Sequence, residues 1–141
     1  MWTHTYSKVY PGIKSQDVWN IWVDISNWPQ WHPDLEYCKF EGSFSVGNYF
    51  MLKPKGMGAV KIELTKIKSG WSFTDCTRFP GARMYDTHEL EETPQGLKIK
   101  NIVFVEGFLG FIWTRLVAKK IANTIPKKID LLVQIVRSRN E

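Results

Sequence analysis

The sequence predicts an α+β fold in which a curved antiparallel sheet of about seven strands packs against one long C-terminal helix. Residues 35–106 consist of short β-prone segments separated by glycine and proline turns, as antiparallel strands are. Residues 108–139 instead repeat apolar side chains at helical spacing. No internal repeat, low-complexity tract or linker divides the 141 residues, so one domain over 1–141 is expected.

The chain begins with a predicted strand and a predicted helix. Trp2–Tyr10 is rich in Thr, Tyr and Val, which favours a strand that ends at a Pro-Gly pair. Residues 14–28 have apolar side chains at helical spacing, with Ser15 as the expected N-cap. Pro29 ends this helix, because the residue before a proline is forced out of the helical region. The segment "QWHPDL" leaves room for one further turn at most, so two short helical segments follow the first strand.

Six further strands are predicted from residue 35 onward. In "AVKIELTKIKSG" apolar residues alternate with Lys, Glu and Thr, which is typical of a half-buried antiparallel strand. Ser69-Gly70 predicts a tight hairpin, and "TPQG" joins the last two strands. The six segments are 35–42, 46–56, 59–70, 71–79, 82–92 and 97–107.

The C-terminal helix is amphipathic, and Pro126 inside it is expected to kink it. Residues 138–141 are expected to fray. Its apolar stripe is predicted to contain Ile112, Trp113, Leu116, Val117, Ile121, Ile125, Ile129, Leu132, Val133 and Val136. One long helix must bury such a stripe against the sheet. A curved sheet around one helix then has either a heavily aromatic core or a cavity, and seven Trp, five Tyr and eight Phe suit both.

Composition excludes several classes of protein. The net charge is +5, which permits an anionic partner, but no nucleic-acid-binding module is present and none is expected as a partner. Cys38 and Cys76 have no metal-ligand spacing, and one disulfide is compatible with the count without being favoured. No signal peptide or membrane span is visible, so a cytoplasmic location is expected. No cofactor fingerprint or metal motif is found, and neither a cofactor nor a metal is expected.

Four segments carry a family resemblance. In chain order, "NWPQWHPDLEYCKFEGSFSVGNYFMLKPKG", "GWSFTDCTRFPGA", "HELEETPQGLKIKNIVFVEG" and "LGFIWTRLVAKKI" resemble the polyketide cyclase/dehydrase and lipid-transport branch of the START-like (SRPBCC) superfamily. The resemblance implies the helix-grip fold, with a deep apolar cavity between sheet and helix. It also implies binding of hydrophobic small molecules, which some members of the superfamily cyclise or dehydrate.

The strongest candidate for chemistry is the segment "MYDTHEL". Strand alternation puts Asp86 and His88 on one face with Met84 and Leu90, which is the expected interior face. A carboxylate beside a histidine raises the pKa of the ring and suits acid-base catalysis. Alternatively these groups satisfy one another, or they face solvent because the sheet has a bulge. Asp86 and His88 are the candidate catalytic pair.

The candidate ligand-binding residues are the polar and aromatic side chains expected on the cavity wall. They are Trp31, His32, Met51, Trp71, Phe73, Asp75, Met84, Asn101, Val103, Trp113 and Leu116. The expected function is binding of a lipid-like or aromatic small molecule, and a polyketide cyclase or dehydratase that uses His88 with Asp86 is the alternative.

A third reading is an adaptor that binds a protein or an acidic membrane surface, weakly, through the basic face of the C-terminal helix. The cations of that face are Arg115, Lys119, Lys120, Lys127, Lys128, Arg137 and Arg139. The oligomeric state is not predicted.

Overall fold

The computed structural model describes residues 1–140, and its seven strands form one antiparallel sheet. Along the sheet the strand order is β1-β7-β6-β5-β4-β3-β2. The strands are β1 (Trp2–Tyr10), β2 (Leu35–Lys39), β3 (Tyr49–Pro54), β4 (Val60–Lys68), β5 (Ser72–Phe79), β6 (Ala82–Thr93) and β7 (Gly96–Glu106). Only the closing pair β1–β7 joins distant parts of the chain, so the sheet is a meander with its first strand added at the far edge. The predicted seven-stranded sheet is confirmed.

Two short helical segments follow β1, as expected. They are α1 (Ser15–Val23) and a 3₁₀ helix (Ile25–Gln30) that contains Pro29. Ser15 is the first residue of α1 and not its N-cap, because Lys14 occupies the extended cap position. The Ser15 hydroxyl instead donates a hydrogen bond to Glu92 Oε1 at 3.2 Å.

The C-terminal helix has three consecutive parts. These are α2 (Gly110–Trp113), a π-helical segment (Thr114–Ala118) and α3 (Lys119–Arg139). Within the segment expected to fray, Ser138 and Arg139 are helical, and Asn140 donates a hydrogen bond to Asp17. Glu141 lies outside the described residues. α3 continues through Pro126 without a break.

The π-helical segment changes which side of the helix is buried. A π turn holds more residues than an α turn, so it rotates the side chains before it relative to those after it. From Ala118 onward the predicted stripe faces the sheet, with Ile125, Leu132 and Val136 almost fully buried. In contrast, Ile112 in α2 is 37% exposed, and Leu116 in the π-helical segment is 53% exposed. The predicted stripe is therefore wrong at its first turn.

The core lies between the sheet and the helices. Trp19, Trp22 and Trp28 from the two short helical segments surround the ring of Phe73 on β5 at centroid distances of 5.5–6.3 Å. Burying each such side chain contributes about 1.5–3 kcal/mol. These aromatic rings therefore fill part of the space between the sheet and the helix.

Two further expectations concern a disulfide bond and a membrane-spanning helix. Cys38 and Cys76 are both buried and free, so the described residues contain no disulfide. None of the helices among residues 1–140 combines the length and apolarity that a membrane crossing requires.

Candidate functional site

A cavity of about 450 Å³ lies between the sheet and α3. Trp22, Trp28 and Trp31 form its wall on the side of the short helical segments. The sheet, the π-helical segment and α3 contribute further apolar side chains, which are Leu52, Val60, Ile62, Phe79, Met84, Ile99, Val117, Ile121, Ile129 and Leu132. Exposed residues line its mouth, namely Asp34, Lys55, Met57, Leu116 and Lys120. A volume of roughly 300–1,000 Å³ is typical of small-molecule sites.

A polar cluster interrupts the apolar wall and consists of Asp75, Asp86, His88, Asn101, Lys128 and His32. Its first four members come from the adjacent strands β5, β6 and β7. Asp75 pairs directly with Asp86 across β5 and β6, and His88 pairs with Asn101 across β6 and β7. Because neither register shifts, alternate residues stay on the concave face. The alternative in which a bulge turns these groups to solvent is therefore wrong.

Asp86 and His88 are adjacent on the wall without forming a close ion pair. Asn101 Nδ2 donates hydrogen bonds to Asp86 Oδ1 and to the carbonyl of Thr87 at 3.2 Å, and this fixes the carboxyl group. His88 Nε2 lies 3.8 Å from Asp86 Oδ1, beyond hydrogen-bond range. The imidazole ring stacks on Phe73 with a centroid distance of 4.3 Å and an interplanar angle of 8°. His88 is thus held by packing, and Asp86 by a hydrogen bond.

Burial decides the protonation of Asp75 and His88. Burial and the neighbouring charge of Asp86 raise the pKa of Asp75 well above its ordinary range, although Lys128 opposes this. Burial lowers the pKa of His88, and this outweighs the opposite effect of Asp86. The expectation that the carboxylate raises the pKa of His88 is therefore wrong in its net sign. Desolvation therefore favours the neutral form of both Asp75 and His88.

Lys128 and His32 face the cluster from the helical side. Lys128 is only 8% exposed, and its Nζ lies 3.4 Å from His32 Nε2. Burial lowers the pKa of Lys128 despite the opposite effects of Asp86, Asp34 and Asp75. Burial, and secondarily the charge of Lys128, lowers the pKa of His32 to about 3. A neutral His32 can accept a hydrogen bond from the Lys128 amine.

The candidate ligand-binding residues divide into two groups. Six lie on the cavity wall or at its mouth: Trp31, His32, Asp75, Met84, Asn101 and Leu116. The other five do not contribute to the wall: Met51, Trp71, Phe73, Val103 and Trp113.

The placement of each of these five has a physical reason. Met51 alternates with Phe50 and Leu52, which take the interior face of β3. Trp71 precedes β5 in the hairpin turn and is 39% exposed. Phe73 and Val103 are buried in the core. Trp113 lies before the π turn, where its indole donates to the carbonyl of Pro80.

Sequence reasoning missed Lys128 as a member of the site. It was assigned to the basic outer face, yet it is buried between Ile125 and Leu132 on the apolar stripe. Its spacing of three residues after Ile125 and four before Leu132 is the signal that could have placed it inside. Trp22 was also missed as a wall residue, because its helical spacing indicated the core alone.

The cluster contains a donor set that metals use. One ligand atom from each of Asp75, Asp86 and His88 lies within 4.8 Å of the others. Two carboxylates and an imidazole suit several divalent metals. However, the amine of Lys128 and the raised pKa of Asp75 both disfavour a cation at this position. The residues therefore fit a neutral polar group of a ligand better than a metal ion.

No known family profile and no curated protein matches the sequence. Solved structures do match it. The chain superposes on a hypothetical protein of Helicobacter pylori with 14% identity, a TM-score of 0.74, and coverage of 95% of this chain and 87% of that one. It superposes on Ara h 8.0201 with 16% identity and a TM-score of 0.71, and the match covers 97% of this chain and 99% of that one. It also superposes on norcoclaurine synthase of Thalictrum flavum, which was solved with dopamine and hydroxybenzaldehyde. The identity is 14%, the TM-score is 0.70, and the match covers 97% of this chain and 88% of that one.

These similarities bear on the fold alone. Ara h 8.0201 and norcoclaurine synthase are Bet v 1-like members of the START-like superfamily. Their whole-chain similarity to this protein, together with the curved sheet and the long helix, confirms the helix-grip fold that the sequence predicts. The chain thus has the helix-grip fold of these two proteins.

Proposed function

We propose that the protein binds a hydrophobic small molecule, lipid-like or aromatic, in the cavity between the sheet and the C-terminal helix. The cavity itself carries this proposal, because about 450 Å³ of space is enclosed by indole rings and aliphatic side chains. Burying apolar ligand surface there contributes about 25 cal/mol per Å². The ligands of norcoclaurine synthase, dopamine and hydroxybenzaldehyde, are small aromatic molecules, which supports an aromatic ligand for a cavity in this fold.

The polar cluster supports a ligand with one polar end. Asp86, His88 and Asn101 lie on the wall at one place, whereas the surrounding wall is apolar. A few convergent polar groups in an apolar pocket orient a ligand. A hydroxyl or carbonyl oxygen would bind there, and the hydrocarbon part of the ligand would lie against the tryptophans.

Displacement of an environment-sensitive apolar dye tests this proposal. The variant Val60→Trp places an indole at the cavity wall, and Lys61→Trp places the same indole on the opposite face of β4. We expect V60W to weaken dye binding at least about tenfold, which corresponds to about 1.4 kcal/mol, while K61W binds like the unmodified protein. Equal dye binding by both variants, or no dye binding by the unmodified protein, contradicts the proposal.

Acid-base catalysis of a cyclisation or dehydration is the second candidate. It is favoured by the shifted pKa values of Asp75 and His88, because strongly perturbed titratable groups in one cleft are typical of acid-base sites. His88, held against Phe73 and next to Asp86, would accept the proton from an acidic carbon of a polyketone. The expected result for His88→Gln is normal binding of a β-polyketone and loss of its turnover. If H88Q and the unmodified protein convert it at the same rate, His88 is not the base.

A further inference from the structure

We propose that Lys128 is a nucleophilic amine that forms an imine with the carbonyl group of an apolar aldehyde or ketone in the cavity. The inference rests on the proposed ligand binding, since the carbonyl compound must first enter the cavity. It assigns a covalent reaction to Lys128, which lies on α3 and is not among the site residues that the sequence predicts.

The position of Lys128 distinguishes it from the other lysines near the cavity. Its side chain is 8% exposed and lies on the wall, whereas Lys55 and Lys120 are exposed at the mouth. Among residues 1–140, no carboxylate oxygen lies within 4.0 Å of its Nζ, and the nearest polar partner is His32 Nε2 at 3.4 Å. A buried lysine is usually paired with a carboxylate. Lys128 is instead an amine with a free approach from the cavity.

Its surroundings favour the neutral, reactive form of the amine. Burial lowers the pKa of Lys128 more than the nearby charges of Asp86, Asp34 and Asp75 raise it. Asp75 faces the amine from β5, Asp86 and His88 face it from β6, and His32 faces it from the segment before β2. A lysine that is desolvated in a hydrophobic pocket is a recognised form of activated nucleophile.

The reaction needs only groups that are present. The lone pair of Lys128 Nζ attacks the carbonyl carbon, a C–N bond forms, and the carbonyl oxygen takes up a proton to give a carbinolamine. A second proton then reaches this hydroxyl group, the C–O bond breaks, and water leaves as the imine forms. The nitrogen loses both of its hydrogens in the process, so amine and carbonyl give imine and water. Asp75, whose protonated form burial favours, is the proton donor on the same wall, and His88, whose neutral form burial favours, is the proton acceptor.

Reductive trapping tests the proposal. The protein is incubated with benzaldehyde and sodium cyanoborohydride at neutral pH, and the modified lysines are identified by peptide mass mapping. Each unit by which a lysine pKa falls raises its neutral fraction about tenfold at this pH. We therefore expect benzylation of Lys128 at least about tenfold faster than that of any exposed lysine. Benzyl alcohol, which has no carbonyl group, should slow the labelling of Lys128 alone by competing for the cavity.

The variants Lys128→Met and Lys128→Arg provide the specificity control. Methionine has a side chain of similar length without the amine, and arginine has a basic group that does not form an imine. Both are expected to lose the fast labelling. Lys127→Met, which removes an exposed lysine on the same helix, should label at the normal rate. If K128M fails to fold, K128R still gives the comparison.

The outcomes separate this inference from the proposed function. If the dye binds and benzaldehyde displaces it, but labelling is spread over the exposed lysines or is absent, the imine reaction is refuted and the binding function stands. If neither dye nor benzaldehyde binds, the binding function fails first. Fast labelling that persists in K128R also overturns the proposal, because the amine must then belong to another residue.

Discussion

Acidification is expected to destabilise the protein through His32. The ring is half-buried beside Trp31, and its Nε2 lies 3.4 Å from the amine of Lys128. A protonated ring cannot accept a hydrogen bond, and it brings a second positive charge next to Lys128. Burial is the largest cause of the lowered pKa of His32, followed by the charge of Lys128, and a backbone hydrogen bond opposes them in part.

The magnitude follows from the two pKa values. The pKa of His32 is about 3 in the folded protein and 6.5 in an ordinary environment. Between these values the unfolded chain binds the proton and the folded chain does not, so stability is complete above pH 6.5 and is lost as the pH falls toward 3. Going from pH 6.5 to about 4 crosses roughly 2.5 units at about 1.4 kcal/mol each. The free energy of unfolding should therefore fall by about 3 kcal/mol through this one ring.

Urea unfolding followed by tryptophan fluorescence measures this loss. The unfolding free energy of the unmodified protein is compared with that of His32→Gln at several pH values from 7 to 4. We expect the unmodified protein to lose about 3 kcal/mol more than H32Q over this range. His4→Gln, which removes a histidine on β1 outside the cluster, is the control for the substitution itself.

Parallel pH profiles of the unmodified protein and H32Q would refute this reasoning. A direct measurement by NMR gives the same test without a variant. The ring resonances of His32 should stay unchanged from pH 7 down to about 5, because the ring remains neutral there. A titration midpoint near 6.5 would show that neither burial nor Lys128 disfavours the charged ring.

Three further predictions concern stability. Gly12→Ala should lower the free energy of unfolding by about 1–2 kcal/mol through left-handed backbone strain alone. Gly96→Ala should lower it more, because a Cβ at Gly96 would also overlap the carbonyl of Tyr10. Equal melting temperatures of the two variants would contradict this. Asp75→Asn should gain stability relative to the unmodified protein as the pH rises above about 4, because Asp75 then ionises readily only in the unfolded chain. Urea unfolding at pH 4 and pH 7 measures this gain. A gain of the same size at both pH values would show that the fold does not raise the pKa of Asp75. Tyr10→Phe should cost about 1 kcal/mol, since the hydroxyl of Tyr10 donates to Asp130, and an unchanged unfolding free energy would contradict it.

The sheet could be predicted from the sequence because its signals are local. Alternation between apolar and polar residues places a side chain on one face of a strand, and the glycine and proline turns fix where each strand ends. For this reason the pattern "MYDTHEL" was sufficient to put Asp86 and His88 on the interior face with Met84 and Leu90. No register shift between β5, β6 and β7 disturbs that pattern.

The helix and the wall could not be predicted equally well, because they depend on packing between distant segments. Nothing in the sequence around Thr114–Ala118 signals the π turn that rotates Ile112 and Leu116 outward. Lys128 has a long polar side chain at an interior position, and composition alone assigned it to solvent. Phe73 is interior as expected, but the ring of His88 covers it, so its strand position did not reveal whether it reaches the cavity.

Burial disfavours the charged forms of the two central groups, and this links binding to chemistry. In water an aspartic acid is ionised and a histidine is partly charged at neutral pH, but the same desolvation favours neutral Asp75 and neutral His88. A nitrogen of His88 and an oxygen of Asp75 lie within 4.8 Å of each other on adjacent strands. In these favoured forms Asp75 is a proton donor, and His88 is a proton acceptor beside it on the wall.

A ligand oxygen between these two groups would be bound by the donor and would have the acceptor within reach. Apolar side chains could fill the same wall at lower cost, because directly opposed carboxyl groups such as Asp75 and Asp86 destabilise a sheet when both are charged. The fold gains nothing from the cluster that leucine or valine would not supply. Under the proposed function the polar cluster binds the polar end of the ligand, and a ligand with a hydroxyl or carbonyl oxygen would satisfy it where a pure hydrocarbon would not.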